Sequence, residues 1–186
     1  MRARFFLFLT VLLSLAAWPA AAGGGRPVID GVALAKSDSI LLLSAAVKDC
    51  FTKEMLEGVH NGISVTFRFK IRLERRRSWW LNQTVSSLGI NHTLSYDPIR
   101  RDYQVDFAEY DQPRVTRSLA EAERMMAELN KIELARLNQL PAGEKYALRI
   151  KATLVENTLP LSIHSLIPFY SIWNFETDWR LVEFSY

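Results

Sequence analysis

The sequence feature that most constrains the fold is the segment 63–73, ISVTFRFKIRL, in which apolar and polar residues alternate without a break. Its odd positions are apolar, and three of its even positions are the cations Arg68, Lys70 and Arg72. Successive side chains leave a β-strand on opposite faces, so this period predicts a strand with one face on a core and the other in water. A slip of one residue would bury the cations, so we expect its pairing register to be strongly fixed.

Further segments alternate in the same way or form an equivalent apolar run, and we expect strands there. They are 28–35, 40–47, 88–96, 103–107, 145–154 and 180–186. The strands 88–96 and 103–107 are expected to form a hairpin with its turn at 97–102. The run 40–47 is apolar on both faces, which favours a covered strand, although a short buried helix has the same pattern. After Leu73 the apolar phase stops at Arg75 and Arg77, so the strand either leaves the core there or contains a bulge.

Two segments carry the boundary signals of helices. For a short first helix these are the capping candidates Asp49 or Thr52 and the terminating pair Asn61-Gly62. For the longest helix they are the capping box of Ser118 with Glu121 and an end between 130 and 138. The apolar stripe of this longer helix consists of Leu119, Ala122, Met126 and Leu129.

The composition is that of one globular domain, because 49% of the 186 residues are hydrophobic, 23% are charged, and no internal repeat is found. We therefore predict a single mainly β domain over 23–186. Its expected form is an antiparallel β-sandwich, immunoglobulin-like, with seven or eight strands and two helices. The alternative is a single curved antiparallel sheet with the long helix packed on one face.

The first 22 residues have the pattern of a secretory signal peptide. Arg2 and Arg4 precede an apolar segment at 5–17, and an A-x-A site ends at Ala22, so we expect cleavage before Gly23 and a periplasmic product. The alternative is an inner-membrane anchor formed by the uncleaved segment. Loss of these two arginines lowers the formal net charge from +3 to about +1, so the pI of 9.1 does not argue for a nucleic-acid partner.

Several short motifs follow one another in a distinctive order along the mature chain. They are DCFT and EMLEG within 49–58, Trp79-Trp80, LSYD at 94–97 with Tyr103, and Trp173 with Asp178-Trp179-Arg180 and Phe184. In this order the chain resembles the DUF4390 family of uncharacterised exported proteobacterial proteins. The resemblance implies an exported protein and at most a connection with sensing, through a neighbouring sensor kinase. It implies no catalytic residue, because no activity is established for the family.

The sequence contains none of the common catalytic or nucleotide-binding motifs: HExxH, CxxC, G-x-S-x-G, a P-loop and G-x-G-x-x-G are all missing. His92 lies on the apolar face of its expected strand, which favours a core histidine over a ligand or base. His60 and His164 lie in unlike contexts, and no pair of histidines has metal-ligand spacing. We therefore expect no metal, no nucleotide cofactor and no other cofactor.

Cys50 is the only cysteine, so no intrachain disulfide is possible, and its apolar neighbours favour a buried thiol over a reactive one. A group of carboxylates also crowds one hairpin, where their spacing fits neither a calcium loop nor a glycosidase pair. We expect a solvated edge there, formed by Asp97, Asp102, Asp106, Glu109 and Asp111.

The sharpest local signal for function is the segment 75–80, RRRSWW. Neighbouring residues of an extended chain point to opposite faces, so Trp79 is expected to close the core and Trp80 to be exposed. We interpret Arg75, Arg76, Arg77 and Trp80 as partner-binding residues, which suit an envelope protein or an anionic membrane surface rather than nucleic acid. The predicted function is thus a binding or interaction module of the envelope, and the alternative is a periplasmic hydrolase of unknown substrate.

Overall fold

The computed structural model describes residues 26–77, 81–155 and 175–186. Within these ranges the chain forms nine strands, two α-helices and a short 3-10 turn at Leu137–Gln139. In chain order the elements are β1 (Val28–Ser37), β2 (Ile40–Lys48), α1 (Lys53–His60), β3 (Val65–Arg75), β4 (Gln83–Asp97), β5 (Asp102–Phe107), β6 (Arg114–Thr116), α2 (Leu119–Ala127), β7 (Glu128–Arg136), β8 (Lys145–Val155) and β9 (Arg180–Ser185).

The strands form two antiparallel sheets. One has three strands in the order β1-β2-β7, and the other has six in the order β6-β5-β4-β3-β8-β9. The inward faces of both sheets and of the two helices contribute to one continuous apolar cluster. The predicted mainly β fold, an antiparallel sandwich with two helices, is therefore confirmed as two sheets that pack together rather than one curved sheet.

Most of the alternating segment 63–73 lies in β3, which is in the middle of the six-stranded sheet between β4 and β8. Phe67 and Phe69 on its inner face are fully buried, whereas Arg68 and Lys70 are exposed. The ring of Phe67 stacks on Phe175, with ring centroids 4.8 Å apart. Because burial of one such side chain contributes about 1.5–3 kcal/mol, the alternation fixes which face of β3 meets the core.

The loss of apolar phase after Leu73 coincides with a bulge. Leu73 pairs with Ser86, but Glu74 pairs with Thr84, so Val85 of β4 has no opposite residue. Leu73 and Glu74 are both buried, and Glu74 lies between Arg72 and Arg149 on the outward side. The bulge is thus in β4 and not in β3, whose register with β8 is unbroken, and β3 itself ends at Arg75.

Helix α1 has the boundaries that its sequence signals predict. Its cap is Thr52 rather than Asp49, because the Thr52 hydroxyl oxygen accepts a hydrogen bond of 3.2 Å from the N–H of Met55. The chain leaves the helix through Gly62, whose φ of +85° is readily adopted only by glycine. Met55 and Val59 are buried, so this helix covers part of the core.

Helix α2 begins as predicted, since the Ser118 hydroxyl oxygen accepts a hydrogen bond from the N–H of Glu121. Its predicted end between 130 and 138 is wrong. The helix stops at Ala127, Glu128 is already extended, and the chain continues directly as β7. The predicted apolar stripe is therefore divided, with Leu119, Ala122 and Met126 in the helix and Leu129 in the strand.

The physical reason for this error is a bulge in β7. Leu129 pairs with Ala45 of β2 and Ile132 pairs with Leu43, so two residues of β7 oppose the single residue Ser44. The extra residue separates Leu129 and Ile132 by three positions, which is the apolar spacing of a helix. Lys131 in the bulge adopts a φ of +54°, and its N–H donates to the Ser44 hydroxyl oxygen over 3.2 Å.

The predicted signal peptide, residues 1–22, lies outside the described residues. In the ranges that the structure does describe, no helix combines the length and the apolar character needed to cross a membrane. The cleavage site before Gly23 stays a prediction.

Candidate functional site

The outward surface of β3 and β8 is dominated by cations, and we call it the basic face. Register places Lys70 opposite Lys151 and Arg72 opposite Arg149. Like charges directly opposite each other on antiparallel strands destabilise the pair. Together with Arg68 at the same face of β3, these cations cover the centre of the six-stranded sheet.

Carboxylates neutralise the basic face only in part. Glu74 lies between two arginines, with its carboxylate oxygens 3.9 Å from Arg72 and 3.8 Å from Arg149. Lys151 forms an ion pair with Glu176, and this hydrogen bond, with the lysine charge, lowers the pKa of Glu176. Lys70 forms no ion pair with any residue in the described ranges, so the positive charges outnumber the negative ones.

An open strip runs beside Lys70 on β4. Lys70 pairs with Gly89, and nothing lies within 4 Å of the position that a Cβ of this glycine would occupy. The flanking outward residues of β4 are the small Ser87 and the amide Asn91, whose oxygen accepts a 3.0 Å hydrogen bond from Arg68 Nε. The ammonium group of Lys70 is therefore accessible to a flat or extended binding surface.

Two exposed apolar side chains lie at the rim of the basic face, on the β9 side. Trp179 is 48% exposed, and the ammonium nitrogen of Lys151 lies 5.7 Å from the centroid of its ring. Leu181 is 47% exposed and pairs with Arg149 across the sheet. Cations next to an exposed tryptophan and leucine form the kind of surface that binds at a membrane interface.

The predicted arginine cluster lies at the end of β3. Arg75 and Arg77 both donate to the amide oxygen of Gln83, over 2.8 Å and 2.6 Å respectively. This acceptor carries no charge, and neither arginine forms an ion pair with a residue in the described ranges. Arg76 instead forms an ion pair with Glu183 of β9, which ties the cluster to the far edge of the sheet.

Trp79 and Trp80 from the same sequence segment lie outside the described residues, as does His164. The exposure of Trp80, and its role beside the arginines, stay predictions. The segment 75–80 is conspicuous in the sequence because its charges are consecutive, whereas the larger group of cations on β3 and β8 has the pattern of an ordinary solvated face. The alternation around Arg68 and Lys151 was the signal for that group, once the two strands are known to be neighbours.

His92 is a core histidine, as predicted, because it is fully buried and both ring nitrogens are bonded. Nδ1 lies 3.1 Å from the carbonyl oxygen of Met126, and Nε2 lies 2.8 Å from Glu109 Oε1. A carbonyl only accepts hydrogen bonds, so Nδ1 is the donor to Met126. The prediction of a solvated edge is wrong for Glu109 and for Asp102, whose side chains are 17% and 14% exposed. A histidine on an apolar face needs buried partners, and that need was the signal for Glu109.

The other carboxylates of this hairpin act mainly in the turn. Asp97 accepts hydrogen bonds from the N–H groups of Arg100 and Ile99, and these bonds lower its pKa. Asp106 and Asp111 are exposed, as predicted. Among the described residues, no three or more histidine, cysteine or acidic side chains are grouped so that they could hold a metal ion.

Two further sequence candidates have structural roles. Cys50 is 5% exposed, and burial raises the pKa of its thiol to about 12, which confirms the predicted buried, unreactive cysteine. His60 at the end of α1 lies 2.6 Å from the hydroxyl of Tyr103.

The sequence model of the family described as Domain of unknown function (DUF4390) matches residues 26–183, which is most of the chain and confirms the resemblance seen in the motifs. The comparisons with curated proteins and with solved structures found no match.

Proposed function

The chain belongs to the DUF4390 family, a domain of unknown function, and we propose that it is an exported binding module that docks its basic face onto an anionic membrane surface of the envelope. The observation that carries this proposal is the like-charge pairing of Lys70 with Lys151 and of Arg72 with Arg149. Such pairs weaken the sheet that contains them. An anionic partner would relieve this repulsion.

The energetics of membrane docking suit this surface. A lysine or arginine close to an anionic leaflet contributes about 1 kcal/mol of attraction. Lys70 forms no ion pair within the described ranges, so its ammonium group can bind a headgroup phosphate without first breaking one. Arg75 and Arg77 share a neutral acceptor at the end of β3, but Arg75 pairs with the buried Tyr146 and so does not project from the basic face. Several such contacts together give useful affinity.

The apolar rim favours a membrane over an envelope protein as the partner. Trp179 and Leu181 lie next to Lys151 and Arg149, so cations and apolar groups would meet the headgroup layer together. A protein partner would instead need a flat patch of carboxylates that matches the spacing of these strands. We therefore propose a membrane surface as the partner, on the periplasmic side if the predicted cleavage before Gly23 takes place.

The test is co-sedimentation of the purified protein with vesicles of phosphatidylcholine, with and without phosphatidylglycerol. We expect binding only when phosphatidylglycerol is present, and weaker binding as salt is added, because exposed charges are screened. The double variant K70Q/R149Q removes two cations and leaves Glu74 paired with Arg72. At about 1 kcal/mol each, this loss should weaken binding about thirtyfold.

The matched control is R117Q/K131Q, which removes the same charge from exposed positions away from the basic face. This control should bind like the wild type. An equal loss of vesicle binding in both double variants would refute docking through the basic face, and so would binding to vesicles of phosphatidylcholine alone. Specific cross-linking to one envelope protein in the absence of lipid would instead establish a protein partner.

Intact-mass analysis of the osmotically released protein checks the periplasmic location, and a full-length, membrane-retained chain contradicts that location.

A further inference from the structure

A cavity of about 170 Å³ lies between the loop after β5, the strand β6, the end of α2 and the start of β7. Its charged lining groups are Glu109, Arg114, Arg124 and Glu128, and its apolar wall includes Phe107 and Tyr110. None of these residues belongs to the basic face. The cavity is therefore independent of the proposed membrane-docking surface.

The two arginines of the cavity are held without carboxylate partners. Arg114 lies over two aromatic rings, with its guanidinium carbon 5.4 Å from the centroid of Phe107 and 5.3 Å from that of Tyr110. The side chain of Arg124 forms no ion pair and no hydrogen bond with any residue that the structure describes, while its backbone carbonyl oxygen accepts a bond from the N–H of Glu128. This is notable because two glutamates line the same cavity, yet neither lies within ion-pair distance of either arginine.

The two carboxylates of the lining leave both arginines available. Glu109 Oε1 is bonded to His92 Nε2 over 2.8 Å, so this carboxylate is engaged with the core histidine and not with an arginine of the cavity. Glu128 is the one other carboxylate of the lining, and it forms no ion pair with Arg114 or Arg124. Both guanidinium groups can therefore receive an anionic group.

We propose that this cavity binds a small carboxylate, with the guanidinium groups of Arg114 and Arg124 on the carboxylate and the Phe107–Tyr110 wall against its apolar part. A planar guanidinium matches a carboxylate through two parallel hydrogen bonds. The size of the cavity sets the size of the ligand, because an apolar protein cavity of about 150 Å³ holds one benzene molecule. The ligand is accordingly an acid of about six to ten non-hydrogen atoms, either free or at the end of a peptide.

The test is titration of the ¹⁵N-labelled protein with benzoate and with benzamide, which has the same shape without the charge. We expect benzoate to shift the amide signals of 107–114 and 124–130 in a saturable way, with benzamide binding at least about tenfold more weakly. N-acetylglycine, whose carboxylate ends a peptide-like chain, should bind more tightly than benzoate if the natural ligand is a peptide terminus and less tightly if it is a free acid.

The variant R124Q is the decisive one, because Arg124 has no contact on which the fold depends, and it should weaken benzoate about tenfold or more. The neighbouring exposed Arg117 does not line the cavity, so R117Q should bind benzoate like the wild type. Equal binding of benzoate and benzamide overturns the proposal. So does unchanged benzoate binding by R124Q, tighter binding of inorganic phosphate than of benzoate, or signal changes on β3 and β8 in place of the cavity.

Discussion

Replacement of His92 by phenylalanine is the perturbation that tests the core of this sandwich most directly. His92 lies on β4 and connects three elements, because its ring bonds the carbonyl of Met126 at the end of α2 and the carboxylate of Glu109 in the loop after β5. The ring also makes edge contacts with Phe69 and Phe107, at centroid distances of 5.0 Å and 4.8 Å. A phenylalanine preserves the ring and its packing but supplies no N–H group.

The expected loss of stability follows from the two hydrogen-bond acceptors that lose their donor in H92F. A buried carbonyl without a donor costs about 1–3 kcal/mol. Glu109 is affected more, because its Oε2 is already buried without a partner among the described residues, so the variant leaves the whole carboxylate unbonded. Removal of one partner from a fully buried pair costs about 3–5 kcal/mol, and the 17% exposure of Glu109 reduces this. We expect a total loss of about 3–5 kcal/mol, a large part of the stability of a typical domain.

The assay is urea unfolding of the wild type, H92F, E109L and H92F/E109L, followed by circular dichroism. Since the double variant removes both members of the pair, it should be more stable than the sum of the single losses predicts, by about 1–3 kcal/mol. If the free energy of unfolding of H92F falls by less than about 0.5 kcal/mol, the buried hydrogen bonds of His92 do not stabilise the core. Strict additivity would show that His92 and Glu109 do not act as a pair.

Two further predictions concern stability. Phe67→Ala or Phe69→Ala should cost about 3–5 kcal/mol in urea unfolding, whereas Lys70→Ala should stay within about 0.5 kcal/mol, and similar small losses at all three positions would mean that β3 is not half-buried. Burial raises the pKa of Glu123, so the folded state favours the neutral form of this side chain. The stability that this preference provides is fully present below the unfolded pKa of about 4.3. It is lost as the pH rises through the folded pKa. E123Q should therefore be more stable than the wild type at neutral pH, with the difference vanishing below about pH 4; a difference that does not change with pH contradicts this.

The strands that alternate without interruption could be predicted from the sequence, because local burial alone sets their pattern. Segment 63–73 is the clearest case, and β3 has its buried and exposed faces as expected. The cap of α2 at Ser118 was equally local, since it depends on one hydroxyl group and an N–H three residues away. Such features require no knowledge of which other elements lie nearby.

Strand β7 could not be predicted because its spacing is set by another strand. The bulge at Asn130 and Lys131 exists only in relation to Ser44 of β2, and without that partner the residues Leu129 and Ile132 have helical spacing. Strand β6 is a similar case, since its three residues are extended through their pairing with β5. A period in one sequence does not distinguish a helix from a bulged strand.

The basic face was hidden for the same reason. Arg72 and Arg149 are far apart in the sequence, and each looks like a solvated charge on its own strand. Only the order β4-β3-β8 brings their strands together, and only the register makes them direct neighbours. The arginines at 75–77 were found because consecutive cations are visible without any topology, but Arg75 pairs with the buried Tyr146 and therefore does not share the basic face.

The distribution of charge across the six-stranded sheet also determines how the protein would meet a membrane. The outward positions of β4 and β5 carry no cation, and Asp106 lies two strands from β3, a distance of about 10 Å. The Debye length is about 8 Å at physiological salt, so an anionic surface feels the cations of β3 and β8 largely apart from this carboxylate. An anionic membrane would attract the β8 side of the sheet and repel the β5 side, so the sheet would tilt with its β8 side toward the membrane. Trp179 and Leu181 lie on this β8 side, so the tilt that brings the cations close to the membrane also brings the two exposed apolar groups to the headgroup layer.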